Sequence, residues 1–184
     1  NHRGTFSSEA WAVAYIETNR LIAGINERIN WLLEQEGWQG TRLPATHNFD
    51  EEQLMSDWSH KHVAFIAGIG SFGHHHMLIT ELGCCGRLGS VVADAIIAPT
   101  PRCEQERCLF KFDGSCRKCE QRCPAKALEA DPFRRHACYD RLLENVHLHE
   151  RHGLADVCGK CAAIVPCSFT DPVKRASRKN RSNR

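Results

Sequence analysis

Apolar and polar positions follow a helical period over the first thirty-six residues. Trp11, Ala14, Ile22, Ile25, Ile29 and the pair Leu32/Leu33 recur at three- and four-residue steps, while Glu9, Glu17, Arg20, Glu27 and Arg28 share the other face. Ser7 or Ser8 can cap the start and Gly37 can close the end, so the pattern predicts one long helix to about Glu36 with its apolar face in the core. Residues 37–50, with Gly40, Pro44 and Asn48, read as a surface connection. A second helix is expected from Glu51 to Ala67, running into Gly68-Ile69-Gly70-Ser71-Phe72-Gly73. That glycine spacing matches a dinucleotide-binding loop, but such a loop follows a strand and opens a helix. Here the order is reversed, so the glycines read as a sharp turn from a helix into the short strand Met77-Leu78-Ile79.

Beyond that strand, Gly83-Cys84-Cys85-Gly86 reads as a tight turn, with Cys84 and Cys85 as small turn residues and redox reactivity as the alternative. The β-branched run Val91 to Ile97 predicts a buried strand. Pro99, Thr100 and Pro101 lead into a cysteine-rich second half, where Asp131-Pro132 has the form of a helix start that carries Cys138 onward. His74, His75 and His76 cannot all face one metal, because neighbouring side chains diverge. One of them can serve as a ligand or proton donor, or as a buried, hydrogen-bonded ring in a polar turn.

Composition narrows the class. The chain has 184 residues, 42% hydrophobic, with a formal net charge of +2. Mean hydropathy is −0.43, and no apolar run reaches the roughly 18 residues of a membrane span, so no membrane partner is expected. Lys174, Arg175, Arg178, Lys179, Arg181 and Arg184 crowd the last eleven residues and leave the body net acidic. Such a tail can contact phosphates or stand as a solvated, disordered end. The expected organisation is an α/β core over residues 1–100, a cysteine module over 101–173 and a basic, disordered tail over 174–184. The chain begins at Asn1 without an apolar signal region and reads as processed or N-terminally incomplete. Eleven cysteines without a secretory segment point to a reducing cytoplasm.

Eight of those cysteines lie between Cys108 and Cys167. Cys116-x2-Cys119-x3-Cys123-Pro124 matches the last three ligands of the bacterial iron-sulfur run, whose fourth cysteine crosses to the other cluster. Asp113 stands where the first ligand of that run would fall, and Cys108 is the nearest replacement, with Cys103 as its competitor. The crossover logic gives Cys108, Cys116, Cys119 and Cys167 to one [4Fe-4S] cluster, and Cys123, Cys138, Cys158 and Cys161 to a second. The two-residue gaps at Cys116/Cys119 and Cys158/Cys161 also suit zinc. Disulfides are disfavoured, since a chain of this length can build a core without them.

The glycine turn Ala67 to Gly73, the strand pair Met77–Ile79 and Gly89–Ile97, and the order and spacing of the cysteines together resemble the epoxyqueuosine reductase family, whose wider relatives include the corrinoid reductive dehalogenases. The resemblance spans roughly Ser56 to Asp171. It implies an α+β fold, with a partial nitroreductase-like α/β core that holds cobalamin near Gly68, Gly70 and Gly73. A ferredoxin-like module with two [4Fe-4S] clusters follows, and the cysteine partition is the one given above. It further implies a reductase fed by a low-potential donor such as ferredoxin or flavodoxin, with transfer RNA as a possible substrate partner. The family's Lys-Asn after the turn is replaced by His74-His75. Its acid aspartate has no counterpart at Leu54, and Asp57 lies one turn further on. Asp57, His74 and His75 are therefore the catalytic candidates. An electron-transfer protein without substrate chemistry is the competing expectation.

Overall fold

Ser8 opens α1 (Glu9–Gln35), its Oγ accepting the Trp11 N–H at 3.3 Å, as capping chemistry predicts. The structure is a computed structural model that describes residues 1, 3–45, 49–102, 104–129 and 131–182, with side chains up to Arg178. Within the segment expected as connection lies a strand, β1 (Gly40–Leu43), which pairs antiparallel with β4 (Ser90–Ala93) in the register Gly40↔Ala93 to Leu43↔Ser90. The predicted strand at 91–97 is thus shorter and starts earlier. Between these lie α2 (His60–Ile66) and the hairpin of β2 (Gly70–Phe72) with β3 (Leu78–Thr80).

The helix expected from Glu51 does not form until His60. The Asp50 carboxylate accepts the Gln53 N–H at 2.7 Å, Asp50 bridges to Met55, and Leu54 turns to φ 51. This local side-chain bond offers the backbone a turn in place of a helix.

Helix α1 lies on the β1/β4 pair through two close approaches. The space a Cβ would take at Gly89 is filled by Ile22 Cγ2, and at Gly40 by Asn30 Oδ1. Asn26, buried, donates to the Ser90 carbonyl. Two strands cannot cover the whole apolar face, so Leu21, Ile25, Ile29 and Leu32 stay 63%, 48%, 40% and 47% exposed, a correction to the expectation that this face is core. The first turns of the helix behave differently, because Tyr15 Oη donates to Asp156 and Ser7 N–H donates to the buried Asn145 side chain.

The second half contains α3 (Leu109–Asp113), α4 (Lys118–Gln121), α5 (Arg135–Leu148) and α6 (Pro172–Ser182). Helix α5 starts three residues after Asp131-Pro132. Helix α6 covers 174–182, where a disordered tail was expected. Asp171 accepts the Lys174 N–H at 3.0 Å, Pro172 takes the first helical position, and Arg107 holds Asp171 in a buried ion pair. The central apolar cluster is Ile79, Cys84, Cys108, Ala162, Val165 and Cys167. Backbone bonds from Cys84 N–H to the Cys167 carbonyl and from Cys85 N–H to the Ser168 carbonyl, 2.8 and 3.1 Å, tie the β3 end of the first half to this cluster. Close approach there needs Gly83, whose φ is +93 and whose absent Cβ would meet the Ser168 carbonyl oxygen at 2.4 Å. No helix among the described residues is long and apolar enough to cross a membrane.

Candidate metal centres

Two sets of four cysteines face two separate spaces. Cys108, Cys116, Cys119 and Cys167 line a small closed chamber together with His75, Leu109, Val165, Pro166 and Pro172. No carboxylate lines it, so its donors are soft sulfur, the chemistry that selects iron-sulfur clusters or zinc over hard cations. Its volume is about 20 Å³, and a cuboid cluster would need one wall to open. Open space lies beside this chamber's Cys116 wall at the exposed Gly114 and Ser115, since a Cβ at Gly114 would meet nothing within 4 Å.

Cys123, Cys138, Cys158 and Cys161 lie on one wall of a larger groove of about 460 Å³. They arrive from four directions: the α4 exit, α5, and the two ends of the Cys158–Cys161 turn at Gly159 (φ +65). Gly159 has no alternative residue there, because a Cβ would lie 2.3 Å from the Trp11 ring. The other walls include Trp11, Ala14, Tyr15 and Thr18 of α1, then Lys61, His75, His76, Met77 and the turn Cys84–Arg87, with Phe133 and Arg141 from the second half. Trp11 and Ala14, expected in the core, line this groove instead.

Electrostatics inside the two sets is that of crowded thiols. Burial pushes Cys119 up to about 12, and Cys108, Cys167 and Cys116 add to the rise. Burial likewise pushes Cys138 up to about 11, with Cys123 and Cys158 adding, and raises Cys158 and Cys161. Cys119 in the first set and Cys138, Cys158 and Cys161 in the second thus resist ionisation beside their neighbours unless a cation sits among them, which is the electrostatic condition a metal centre relieves. Cations are near the second set. Lys61 is lowered by burial but drawn back up by Cys138 and Cys161, and its Nζ donates to the His76 carbonyl at 3.2 Å.

The histidine turn divides its duties. The His74 N–H points at Cys108 Sγ, 3.5 Å away, and its ring meets Glu120 at 3.3 Å and tilts over Phe110. His75 is buried; Nδ1 accepts the Met77 N–H at 3.1 Å and Nε2 lies 3.3 Å from Cys167 Sγ. His76, at φ 59, stacks on Phe133 beside the groove.

His75 Nε2, Cys84 Sγ and Cys167 Sγ lie within 4.8 Å of one another and could be taken for a metal triad. The hydrogen bonds argue otherwise. A neutral imidazole that accepts at Nδ1 carries its hydrogen on Nε2, so the ring donates to Cys167. Ligation through Nε2 would force a hydrogen onto Nδ1 against the Met77 N–H. Cys84 also donates to Cys167 across 3.8 Å. These bonds hold Cys167 down to about 5, the Cys84 bond first and His75 after burial, and raise Cys84. Cys85, beside the groove, is lowered to about 7, chiefly by Cys84.

The remaining sequence candidates lie elsewhere. Asp57 is exposed on the bend before α2 and does not line the groove. Gly68, Gly70 and Gly73 make room for protein, not for a ligand. Their absent Cβ atoms would strike the Pro101 carbonyl, the Ile79 carbonyl and the His75 ring at 2.3, 2.2 and 2.6 Å. Cys103, the competitor of Cys108, lies outside the described residues. Tyr15, Lys61, Arg87 and Phe133 were missed in the sequence. Tyr15 had a signal, since Trp11, Ala14, Tyr15 and Thr18 share one helix stripe, whereas the other three carry no local motif. No family model, curated protein or solved structure matches this chain.

Proposed function

We propose that the chain is an iron-sulfur oxidoreductase holding two [4Fe-4S] clusters, one on Cys108, Cys116, Cys119 and Cys167 and one on Cys123, Cys138, Cys158 and Cys161. The carrying observation is that the eight cysteines partitioned by crossover spacing fall four and four on two spaces, the second of which Cys84 and Cys85 also line. Bound there, the clusters supply single electrons at low potential. The protein's own groups do the rest. His75 and the His74 N–H orient and polarise sulfurs of the first set, and Lys61 places positive charge beside the second. Tyr15, Trp11, His76 and Phe133 form the apolar walls that would hold an acceptor against it.

The acceptor reading follows from size. A groove of about 460 Å³ suits a drug-sized ligand. Cobalamin, implied by the family resemblance, is larger than this groove, and the residues that would face it are Trp11, Tyr15, His76 and Phe133. His76 lines the groove, and burial and then Lys61 lower its pKa.

A second reading, an electron-transfer protein without substrate chemistry, is favoured by one observation: Asp57 and His74 do not line the groove, and His75, which does, is bonded through Nε2 to Cys167 of the first cysteine set. Anaerobic purification, incubation with cobalamin and one elemental analysis separate the readings. Iron with retained cobalt supports the corrinoid-linked reductase, iron alone the electron carrier or a reductase of another acceptor, and zinc overturns both.

A further inference from the structure

Two buried N–H groups beside the second cysteine set have no acceptor. Trp11 Nε1 and Arg141 Nε are shut off from solvent and make no hydrogen bond among the described residues, and both side chains line the groove that Cys123, Cys138, Cys158 and Cys161 face. Each group is a donor only. A buried donor is nearly always bonded, because a bare one has given up its bond to water for nothing. Lys61, the other cation near this set, differs, since its Nζ already donates to the His76 carbonyl.

The fold holds both donors at the thiols. The edge of the Trp11 ring takes the room that Gly159 leaves, and a Cβ there would lie 2.3, 2.4 and 2.5 Å from Cζ2, Cε2 and Nε1. Gly159 stands between Cys158 and Cys161, so the indole N–H lies against the turn that carries both. The Asn1 side chain donates to the Cys158 carbonyl at 2.7 Å, and Lys160 Nζ donates to the carbonyls of Asn1 and Arg3 at 3.1 and 2.6 Å. These bonds fasten the segment before α1 to the same turn. Arg141 follows Cys138 by about one turn on α5, on the same face of the helix. Its Nη1 pairs with Glu144 at 2.6 Å, and its guanidinium carbon stands 4.7 Å over the Phe6 ring. The head is thereby fixed, and Nε is left over.

We propose that Trp11 Nε1–H and Arg141 Nε–H donate to sulfur of the cluster held by Cys123, Cys138, Cys158 and Cys161, and so raise its reduction potential. This rests on the iron-sulfur reading above. Neither donor bonds a cysteine sulfur of the set, so the acceptor each lacks is sulfur that the cluster brings with it. A zinc ion on the same four thiolates would bring no acceptor and would leave both donors bare. Hydrogen bonds to cluster sulfur are among the factors that set the potential, and they strengthen as sulfur gains electron density on reduction.

The test uses the anaerobically purified, iron-loaded full chain. Trp11→Phe keeps a ring against Gly159 and removes the N–H, whereas Arg141→Lys keeps the charge and removes the Nε donor. In a mediator-based redox titration each variant should lower the same one of the two midpoint potentials and leave the other. At a fixed poise the ratio of reduced to oxidised cluster should fall about fivefold, with iron content unchanged. Electron-nuclear double resonance on the reduced protein, before and after exchange into heavy water, should show exchangeable protons coupled to that cluster, and each variant should lose part of the coupling. A side chain that only packs would alter the melting temperature and neither of these readouts. If Trp11→Phe loads iron poorly, Arg141→Lys decides alone. Unchanged potentials and unchanged couplings at full iron content overturn the proposal and leave the iron-sulfur reading standing, as does a shift of different potentials by the two variants. Zinc in place of iron in the wild type, or neither metal, overturns the reading beneath it.

Discussion

Replacing His75 by Leu keeps the buried volume and removes one N–H···S bond to Cys167, 3.3 Å long in this structure. Sulfur gains electron density when a cluster is reduced, so a donor to sulfur stabilises the reduced state and raises the potential. A hydrogen bond to a charged acceptor is worth about 1.5–3 kcal/mol. Taking roughly half of that as gained on reduction gives about 1 kcal/mol. A one-electron difference of 1.4 kcal/mol is about 59 mV, so the potential of one cluster should fall by about 40 mV while the other holds. The same change leaves the Met77 N–H without its acceptor, at about 1–3 kcal/mol of stability. His75→Gln keeps an amide donor and should shift the potential less. The assay is a mediator-based redox titration followed by electron paramagnetic resonance, with iron counted in each sample. An unchanged or raised potential at full iron content would refute the assigned tautomer and the role given to the ring.

Four further outcomes are expected. Cys108→Ala should remove about half the bound iron, whereas Cys103→Ala and Cys84→Ala should leave it, because Cys84 serves as a donor to Cys167; iron per chain by elemental analysis decides, and loss in Cys84→Ala would make it a ligand. Asp171→Ala should destabilise by about 3–5 kcal/mol, since it removes the closest carboxylate of the buried Arg107 and uncaps α6; a loss under about 1 kcal/mol in urea unfolding would contradict this. Gly83→Ala should lower the melting temperature markedly, through a strained φ of +93 and a clash with the Ser168 carbonyl, and an unchanged melting curve would refute the close approach. Burial and then Asp156 raise Tyr15 to about 12, so the fold favours the neutral phenol. That contribution is present below pH 10 and is lost as pH rises toward 12, by about 2–3 kcal/mol in all. Tyr15→Phe should flatten this alkaline decline, and an identical slope would exclude Tyr15 as its source.

Local chemistry was the legible part of the sequence. Ser8 as a cap depends on a few neighbouring residues, and the fold forms it; the cysteine spacing is likewise a local signal. The start of α6 was equally legible, because Asp171-Pro172 is a cap followed by proline at the first helical position. What depended on distant partners was not legible. Strand β1 exists because Gly40–Leu43 finds Ser90–Ala93, and a Gly- and Pro-containing stretch gives no sign of that pairing. The stripe on α1 announced an apolar face without saying what covers it. One end lines the groove through Trp11 and Tyr15, and the other remains exposed at Leu21 and Ile25. The turn at 51–54 replaced a helix because the Asp50 side chain competes for backbone N–H groups, a contest that periodicity does not register.

The central claim is that the two sets of cysteines hold iron-sulfur clusters. Iron and zinc per chain, measured together on protein purified without oxygen, test it most directly. The account predicts about eight iron atoms and no stoichiometric zinc; zinc in place of iron, or neither metal, would contradict it.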